Sequence, residues 1–299
     1  MKLFITGTNG FVGASLLEHF RRHLPGHTVI GLARRTCPDS LLTNYSIASL
    51  RTLLDDHRPD WILNAAGPAS VAGSMTDPKT DFEATVTVVQ HLLEAIRISA
   101  ARPRLVMYSS AAVYGNPDSL PVAEDARPQP ISPYGHHKLV CEFLCREYSI
   151  CYGLDISVFR IFSLFGPRQR RLLTYELARQ ALTSDEIVIK GTGHETRDFM
   201  SIFDLCQLTE RLLSALPAGF QTLNVASGTQ RSVLELADVV NNLTGRSLPV
   251  RCLGQAMPGN PDRWQADISR MNAWLGAPHS FDLPRDLALC LSAWKHSTS

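Results

Sequence analysis

The stretch Leu3-Phe4-Ile5-Thr6-Gly7-Thr8-Asn9-Gly10-Phe11-Val12-Gly13 decides how this chain is read. A short apolar run with strand character, Leu3-Phe4-Ile5, feeds straight into glycines spaced by two residues. Val12, Leu16, Leu17, Phe20 and Leu24 then recur at helical spacing until Pro25-Gly26 stops the pattern. A strand, turn and helix of this kind need glycine at each place. Gly7 permits the tight turn, Gly10 lets the backbone approach a pyrophosphate, and Gly13 lets the helix sit close on the strand. Glycine spacing alone would also fit a merely tight turn. Here the strand before, the helix after and a second strand at the right distance, Val29-Ile30-Gly31-Leu32, occur together. Residues Gly7, Thr8, Asn9, Gly10, Phe11, Val12 and Gly13 are therefore expected to hold a dinucleotide.

Working outward, the same alternation continues. A helical pattern runs from Leu50 to Leu54, Trp61-Ile62-Leu63 reads as a strand, and a long helical pattern extends from Asp81 to about Ser99. Leu105-Val106-Met107-Tyr108 is the next strand, followed by a proline-rich loop, a helix from near Pro133 and the strand Ile156-Ser157-Val158-Phe159. The pattern predicts an α/β fold, a Rossmann-type doubly wound parallel sheet of six strands, with ligands beyond the carboxyl ends of the strands. After Phe165-Gly166-Pro167 the elements shorten, which predicts a smaller C-terminal α/β substrate lobe. Residues 1–165 are expected to form the NAD(P)-binding domain and 166–299 mainly the lobe. Residues 198–227 are expected to pack back on the first domain.

The end of the second strand separates the two nicotinamide cofactors. A carboxylate there accepts the ribose hydroxyls of NAD, whereas arginine accommodates the 2′-phosphate of NADP. Ala33 lies where the carboxylate would be and Arg34-Arg35 follow. The reading favours NADP(H), and NAD(H) stays open because arginine pairs are also common on exposed loops.

Composition narrows the partners. The 299 residues carry 29 Lys+Arg against 28 Asp+Glu, a formal net charge of +1. That balance excludes a polybasic nucleic-acid surface or an acidic tail as the main business of the chain. Seven cysteines, odd in number and without a C-x-x-C pair, argue against a disulfide framework or zinc ribbon and for a reducing, cytoplasmic setting. Met1-Lys2 runs directly into a strand, so no targeting segment is read. The uncharged run from Leu105 to Pro117 falls short of the ~20 residues a membrane helix requires. No repeat is found, and His296-Ser297-Thr298-Ser299 reads as a frayed polar end.

Chemistry gathers at two places. Ser109-Ser110-Ala111-Ala112-Val113-Tyr114-Gly115 ends a strand, and Ser132-Pro133-Tyr134-Gly135-His136-His137-Lys138 opens a helix. Tyr134 and Lys138 are four apart and share a helical face. A phenol has an ordinary pKa of about 10, so a tyrosine works as a general acid/base near neutrality only beside positive charge. Lys138 and an oxidised nicotinamide would provide it. Ser110 would hold the substrate hydroxyl or carbonyl. In isolation a Tyr and Lys so spaced are more often an ordinary helix surface; the preceding glycine loop and serine strand turn the balance. His136 and His137 point to different sides of that helix, so no metal site is expected. Cys141 and Cys145 share a face and are expected to pack as small apolar groups.

Together these motifs resemble the extended short-chain dehydrogenase/reductase family, specifically its nucleotide-sugar epimerases, dehydratases and reductases. The likeness covers essentially the whole chain. It rests on the glycine loop, Asn64-Ala65-Ala66-Gly67, Ser110, and Tyr134 with Lys138. In the second half it rests on Arg160 to Arg168, Gly191-Thr192-Gly193 leading to Arg197-Asp198-Phe199, Asn224 to Gly228, and Pro258-Gly259-Asn260-Pro261 leading to Arg263 and Ala266-Asp267-Ile268. The resemblance implies a nucleotide-diphosphate sugar as substrate, cofactor contacts from Ala65, Ala66, Gly67, Tyr134 and Lys138, and substrate contacts from Ser110, Ser163, Arg197 and Arg263. The two arginines would take the diphosphate, which a fork-shaped cation suits. A homodimer paired through the helices of Thr85 and Tyr134 is implied as well, with a thicker core as the competing explanation.

Within that family, 4,6-dehydratases carry an acidic residue just after the catalytic Ser/Thr. Ala111 and Ala112 stand there, so dehydration is disfavoured. An NADPH-dependent 4-keto-deoxysugar reductase is favoured, with an NDP-hexose 4-epimerase as the alternative and a non-catalytic NADP-sensing protein as a remote one. The retained Ser110, Tyr134 and Lys138 count against the last. Three departures from the family pattern stand out: Thr85 where an asparagine is usual, Ser163 where another is, and Lys190 where an aromatic residue often stacks on uracil. The base is therefore left unassigned.

Overall fold

The protein is described from a computed structural model covering residues 1–255 and 259–295. Pro258 of the Pro-Gly-Asn-Pro segment and the expected frayed end at 296–299 lie outside the described residues. The strands, in chain order, are β1 (Lys2–Thr6), β2 (Thr28–Ala33), β3 (Ser40–Leu42), β4 (Trp61–Asn64), β5 (Arg104–Ser110) and β6 (Ile156–Ile161). They continue as β7 (Ser163–Phe165), β8 (Ile187–Ile189), β9 (Thr196–Ser201), β10 (Phe220–Val225), β11 (Gln230–Ser232) and β12 (Val250–Cys252). The main sheet has seven strands in the order β10-β6-β5-β4-β1-β2-β3, every pairing parallel. It has one strand more than the expected six: β1, β2, β4, β5 and β6 are the five runs located in the sequence, and the short Ser40–Leu42 beside β2 at one edge and Phe220–Val225 beside β6 at the other complete the seven.

The helices are α1 (Phe11–His23), α2 (Ile47–His57), α3 (Val71–Thr76), α4 (Pro78–Phe82), α5 (Val88–Ile98) and α6 (Pro133–Tyr152). After them come α7 (Leu173–Thr183), α8 (Ile202–Leu213), α9 (Val233–Thr244), α10 (Ser269–Leu275) and α11 (Leu283–Lys295). Strand β1 shows why both faces of the sheet are covered. Leu3 and Ile5 enter one core with Leu16 and Phe20 of α1 and Leu205, Leu208 and Leu212 of α8. Phe4, between them, enters the other with Leu50 and Leu54 of α2, Leu92 of α5, and Cys141 and Cys145 of α6. Successive strand residues point to opposite faces, and a parallel sheet buried on both reads as a continuous apolar run. Each such fully buried side chain contributes about 1.5–3 kcal/mol relative to exposure.

The return segment divides its duties. β9 joins a separate three-stranded sheet, β11-β9-β7, whereas α8 lies on α1, with the His19 ring 2.7 Å from Glu210. A third core, built around Trp294, Tyr175 and Phe165, holds α7, α9 and α11 together.

The run expected as one helix from Asp81 to Ser99 is broken. Between α4 and α5 the chain makes one wide π turn, Glu83–Thr87. Five β-branched or threonine residues in succession, Thr85-Val86-Thr87-Val88-Val89, crowd the backbone there, and such turns recur at functional sites.

Candidate active site

The crevice opens where the sheet reverses direction. The chain leaves β1 for β2 and β3 on one side, then crosses back to β4 on the other, and ligands of doubly wound sheets bind above such a switch point. A cavity of about 890 Å³ runs from there into the lobe. Phe11, Val12, Ala65, Gly67, Ser110 and Tyr134 belong to its wall at the sheet.

The glycine loop has the shape a pyrophosphate needs. Gly7 has φ +70°, and a Cβ there would come within 2.6 Å of Ala65 O. A Cβ on Gly13 would stand 2.4 Å from Gly7 O, and one on Gly10 3.2 Å from the same oxygen. Gly10 caps α1 without a side chain, so the first helical N–H groups and the positive end of the helix dipole stay available to an anion. The residues present thus fit a dinucleotide.

Neighbouring groups hold the loop in this form. Thr6 Oγ1 donates to Asn64 Oδ1 at 2.6 Å and accepts from Ala66 N at 3.1 Å, tying the ends of β1 and β4 together. Thr8 Oγ1 lies 2.7 Å from Ser40 Oγ. Asn9 exchanges hydrogen bonds with the backbone of Arg35, each 3.4 Å long. Sequence reasoning missed Tyr45, whose hydroxyl accepts from Gly7 N at 3.0 Å and donates to Leu32 O at 2.9 Å. Burial pushes its phenol up from the ordinary value. Arg34 and Arg35 are exposed at the end of β2, neither with an ion-pair partner among the described residues, and the Arg34 guanidinium lies 5.4 Å from the Tyr45 ring centroid.

Ser110 ends β5, and its Oγ accepts from Ala112 N at 3.2 Å. Ser132 caps α6 by accepting from Gly135 N, with Pro133 in the first turn. The cap places Tyr134 at the helix start, where its N–H donates to Ser74 Oγ at 3.0 Å. One turn on, Lys138 Nζ donates to Tyr108 O at 3.1 Å and stands 5.8 Å from the Tyr134 ring centroid. All three expected catalytic residues meet on one cavity wall.

A second group missed from sequence lies beneath them. Glu142, a turn after Lys138, accepts from Ser109 Oγ at 2.5 Å and forms a buried pair with Arg160 at 2.7 Å. Arg160 also donates to Tyr114 Oη at 2.8 Å, and Tyr114 Oη donates to Asn224 Oδ1 at 2.7 Å. This network clamps the strand end carrying Ser110 to the helix carrying Tyr134.

On the lobe side, Ser163 and Lys190 line the cavity. Arg197 lines it too, donating to Thr196 O at 2.8 Å and lying 5.5 Å from the Trp264 ring centroid. It has no ion-pair partner among the described residues, and burial pushes its guanidinium down to about 10. Arg263 is not brought in. Thr196 bridges to Arg263 in extended backbone, so side chains alternate, and Trp264 turns inward to donate to Gly115 O while Arg263 stays exposed. Thr85 is fully buried in the π turn, its Oγ1 without a hydrogen-bond partner among the described residues. His137 pairs with Asp81 at 2.5 Å and His136 is exposed. Among the described residues no group of three or more metal-ligating side chains is assembled, and no helix is long and apolar enough to cross a membrane.

Comparison with known proteins agrees with this geometry. The sequence profile of the NAD dependent epimerase/dehydratase family matches residues 3–226. The chain is 30% identical over 266 residues to a UDP-glucose 4-epimerase of Mycolicibacterium smegmatis, covering 82% of this chain and 83% of that protein. It is 27% identical to a GDP-6-deoxy-D-mannose reductase of Pseudomonas aeruginosa, covering 98% and 97%. The solved structure of MoeE5 with UDP-glucose and NAD superposes with a TM-score of 0.88 at 28% identity, covering all of both chains. That of RMD from Pseudomonas aeruginosa with NADPH gives 0.88 at 25%, covering 99% of each. With the glycine cradle, the Ser-Tyr-Lys wall and the parallel sheet all in place, the chain belongs to the NAD-dependent epimerase/dehydratase family of extended short-chain dehydrogenases/reductases, enzymes that modify nucleotide sugars.

Proposed function

We propose that the protein reduces the 4-keto group of a nucleoside-diphosphate deoxysugar, drawing on NADPH. The observation that carries this reading is the end of β2, where Ala33 leaves no carboxylate and Arg34 and Arg35 present two cations without ion-pair partners among the described residues. A 2′-phosphate suits such a pair, and the ribose diol of NAD has no acceptor there. Ala111 and Ala112 supply neither acid nor base for elimination.

When bound, the dinucleotide supplies a hydride to C4 of the sugar. The protein's part is the proton and its placement. Tyr134 donates its phenolic proton to the C4 oxygen, Ser110 hydrogen-bonds the same oxygen, and Lys138, fixed by Tyr108 O, stabilises the phenolate left behind until solvent returns the proton. Arg197 neutralises the diphosphate, so an anion replaces a missing counter-ion.

A second reading, NDP-hexose 4-epimerisation, is supported by the UDP-glucose 4-epimerase relatives. Cofactor exchange separates the two. Readily exchanged NADPH supports the reductase, and tightly held NAD⁺ supports the epimerase. Replacing Arg34 with Ala should erase a roughly ten-fold preference for NADPH over NADH; an unchanged preference would remove the cofactor assignment.

The protein is proposed to act as a homodimer in the cytoplasm. Phe82, Val140, Phe143 and Ile150 leave apolar side chains exposed along α4 and α6. A monomeric mass in solution would refute the dimer.

A further inference from the structure

We propose that Gln169 is the residue through which the cavity selects its sugar, its Oε1 accepting a hydrogen bond from one hexose hydroxyl. This rests on the nucleotide-sugar reading above. Gln169 is only 4% exposed and lines the cavity, yet its Oε1 has no hydrogen-bond partner among the described residues. An unpaired buried carbonyl costs about 1–3 kcal/mol, so such a group in a folded protein calls for an explanation.

Its orientation is set locally. Nε2 donates to Leu164 O at 3.4 Å, and exchanging the amide's oxygen and nitrogen would set two carbonyl oxygens against each other. The segment is fixed from below by a turn in which Gln169 N donates to Gly166 O at 3.0 Å. Gly166 is wedged so tightly that a Cβ there would come within 2.7 Å of the Phe11 ring. Gln169 is therefore tied to Leu164, next to Ser163, and through Gly166 to Phe11 of the glycine-loop helix, and Phe11, Ser163 and Leu164 all line the cavity. At the other end of the segment, Leu172 lines the same cavity with φ +75° and ψ 166° at the start of α7. Backbone so strained in a non-glycine residue persists where the surroundings over-determine it, commonly at ligand sites.

The missing partner must be a donor. At this end of the cavity a ligand can offer a sugar hydroxyl or the carboxamide N–H of the nicotinamide. A sugar hydroxyl fits better, because Ser163 and Leu164 line the same cavity as Arg197, which would hold the diphosphate.

Gln169→Met keeps length and removes the acceptor. Titrations with UDP-glucose and GDP-mannose should show the sugar that the wild type binds held roughly ten-fold more weakly. UDP or GDP alone and NADPH should change by less than about two-fold. The thermal midpoint of the unliganded variant should not fall, since the unpaired carbonyl is gone. Deoxyfluoro analogues identify the hydroxyl, since fluorine cannot donate. One of them should bind wild type and variant equally, and the others should keep the ten-fold gap. A weakened NADPH complex with an intact sugar complex would hand the residue to the cofactor and overturn the proposal. So would equal losses for sugar-free nucleotides, or no loss at all. If the wild type binds neither of these nucleotide sugars nor a thymidine-diphosphate sugar, the underlying reading falls with it; if it binds one and Gln169→Met is indifferent, only this inference falls.

Discussion

The two walls of the cavity are finished to different degrees. On the sheet side, apart from the N–H groups at the start of α1 and the guanidinium groups of Arg34 and Arg35, the chain satisfies the polar groups around the glycine loop and Lys138 with its own atoms: Gly7 N has Tyr45, Asn9 has Arg35, Thr6 has Asn64, and Lys138 has Tyr108 O. On the lobe side groups wait: among the described residues Arg197 has no ion-pair partner and Gln169 Oε1 no donor, and Leu172 holds a strained backbone. A surface that saturates itself is pre-organised and contributes to folding. One that is left unsatisfied lowers stability and recovers it when a ligand arrives. Substitutions on the first wall should therefore damage fold and binding together, and those on the second should damage binding alone.

The largest effect falls between the walls. Tyr134→Phe should lower turnover by about 10²–10⁴-fold, as loss of a positioned acid does, while cofactor affinity and thermal midpoint stay near wild type. Turnover that survives would break the mechanism. Next, Gly13→Ala pushes a methyl against Gly7 O at 2.4 Å, and calorimetry and cofactor titration should show ~1–3 kcal/mol lost in stability together with a weakened dinucleotide complex. Binding lost without destabilisation would blur the contrast drawn above. Arg197→Ala is its counterpart. Affinity for a nucleoside diphosphate should fall ten-fold or more, with no drop in thermal midpoint because a half-buried charge without an ion-pair partner among the described residues has been removed. A destabilised variant would show that Arg197 supports the fold.

The smallest effect tests a buried carboxyl behind the lobe wall that the chain has saturated itself. Asp198 accepts from Ser227 N and Oγ, Gly228 N and Ala266 N, yet burial pushes its carboxyl up to about 6. A carboxyl raised on folding adds stability below its unfolded value and loses it as pH rises through the folded one. The midpoint gap between wild type and Asp198→Asn should accordingly narrow between about pH 4 and pH 7. A constant gap would mean that the four donors keep the carboxylate ionised throughout.

Which parts could be read from sequence follows from how local their causes are. The β1-loop-α1 unit, the Tyr134–Lys138 pair and Ser110 are set by spacing and capping within a few residues, and each stands where the sequence puts it. Tyr45, Glu142 and Gln169 carried no local signal. Tyr45 meets Gly7 across 38 residues and Glu142 meets Ser109 across 33, pairings that only the assembled sheet creates. Gln169 is marked by what its carbonyl lacks, which no sequence pattern records. The break in the helix after Asp81 was written in five crowded β-branched residues, a steric signal weaker than the apolar periodicity laid over it. Arg263 illustrates the opposite case, since a sequence match cannot say which side of an extended segment faces the cavity.

The chain enters the lobe after β7 and comes back twice, first as α8 on α1 and then as β10 on the edge of the main sheet. Cutting near residue 165 would uncover Leu16, Leu17 and Phe20 and strip β6 of its outer neighbour, β10. The cofactor half then has no independent existence as a continuous fragment. Its last strand is synthesised only after the first part of the lobe, α7 to β9, has been made, so the two halves reach their final form together, in one cooperative event.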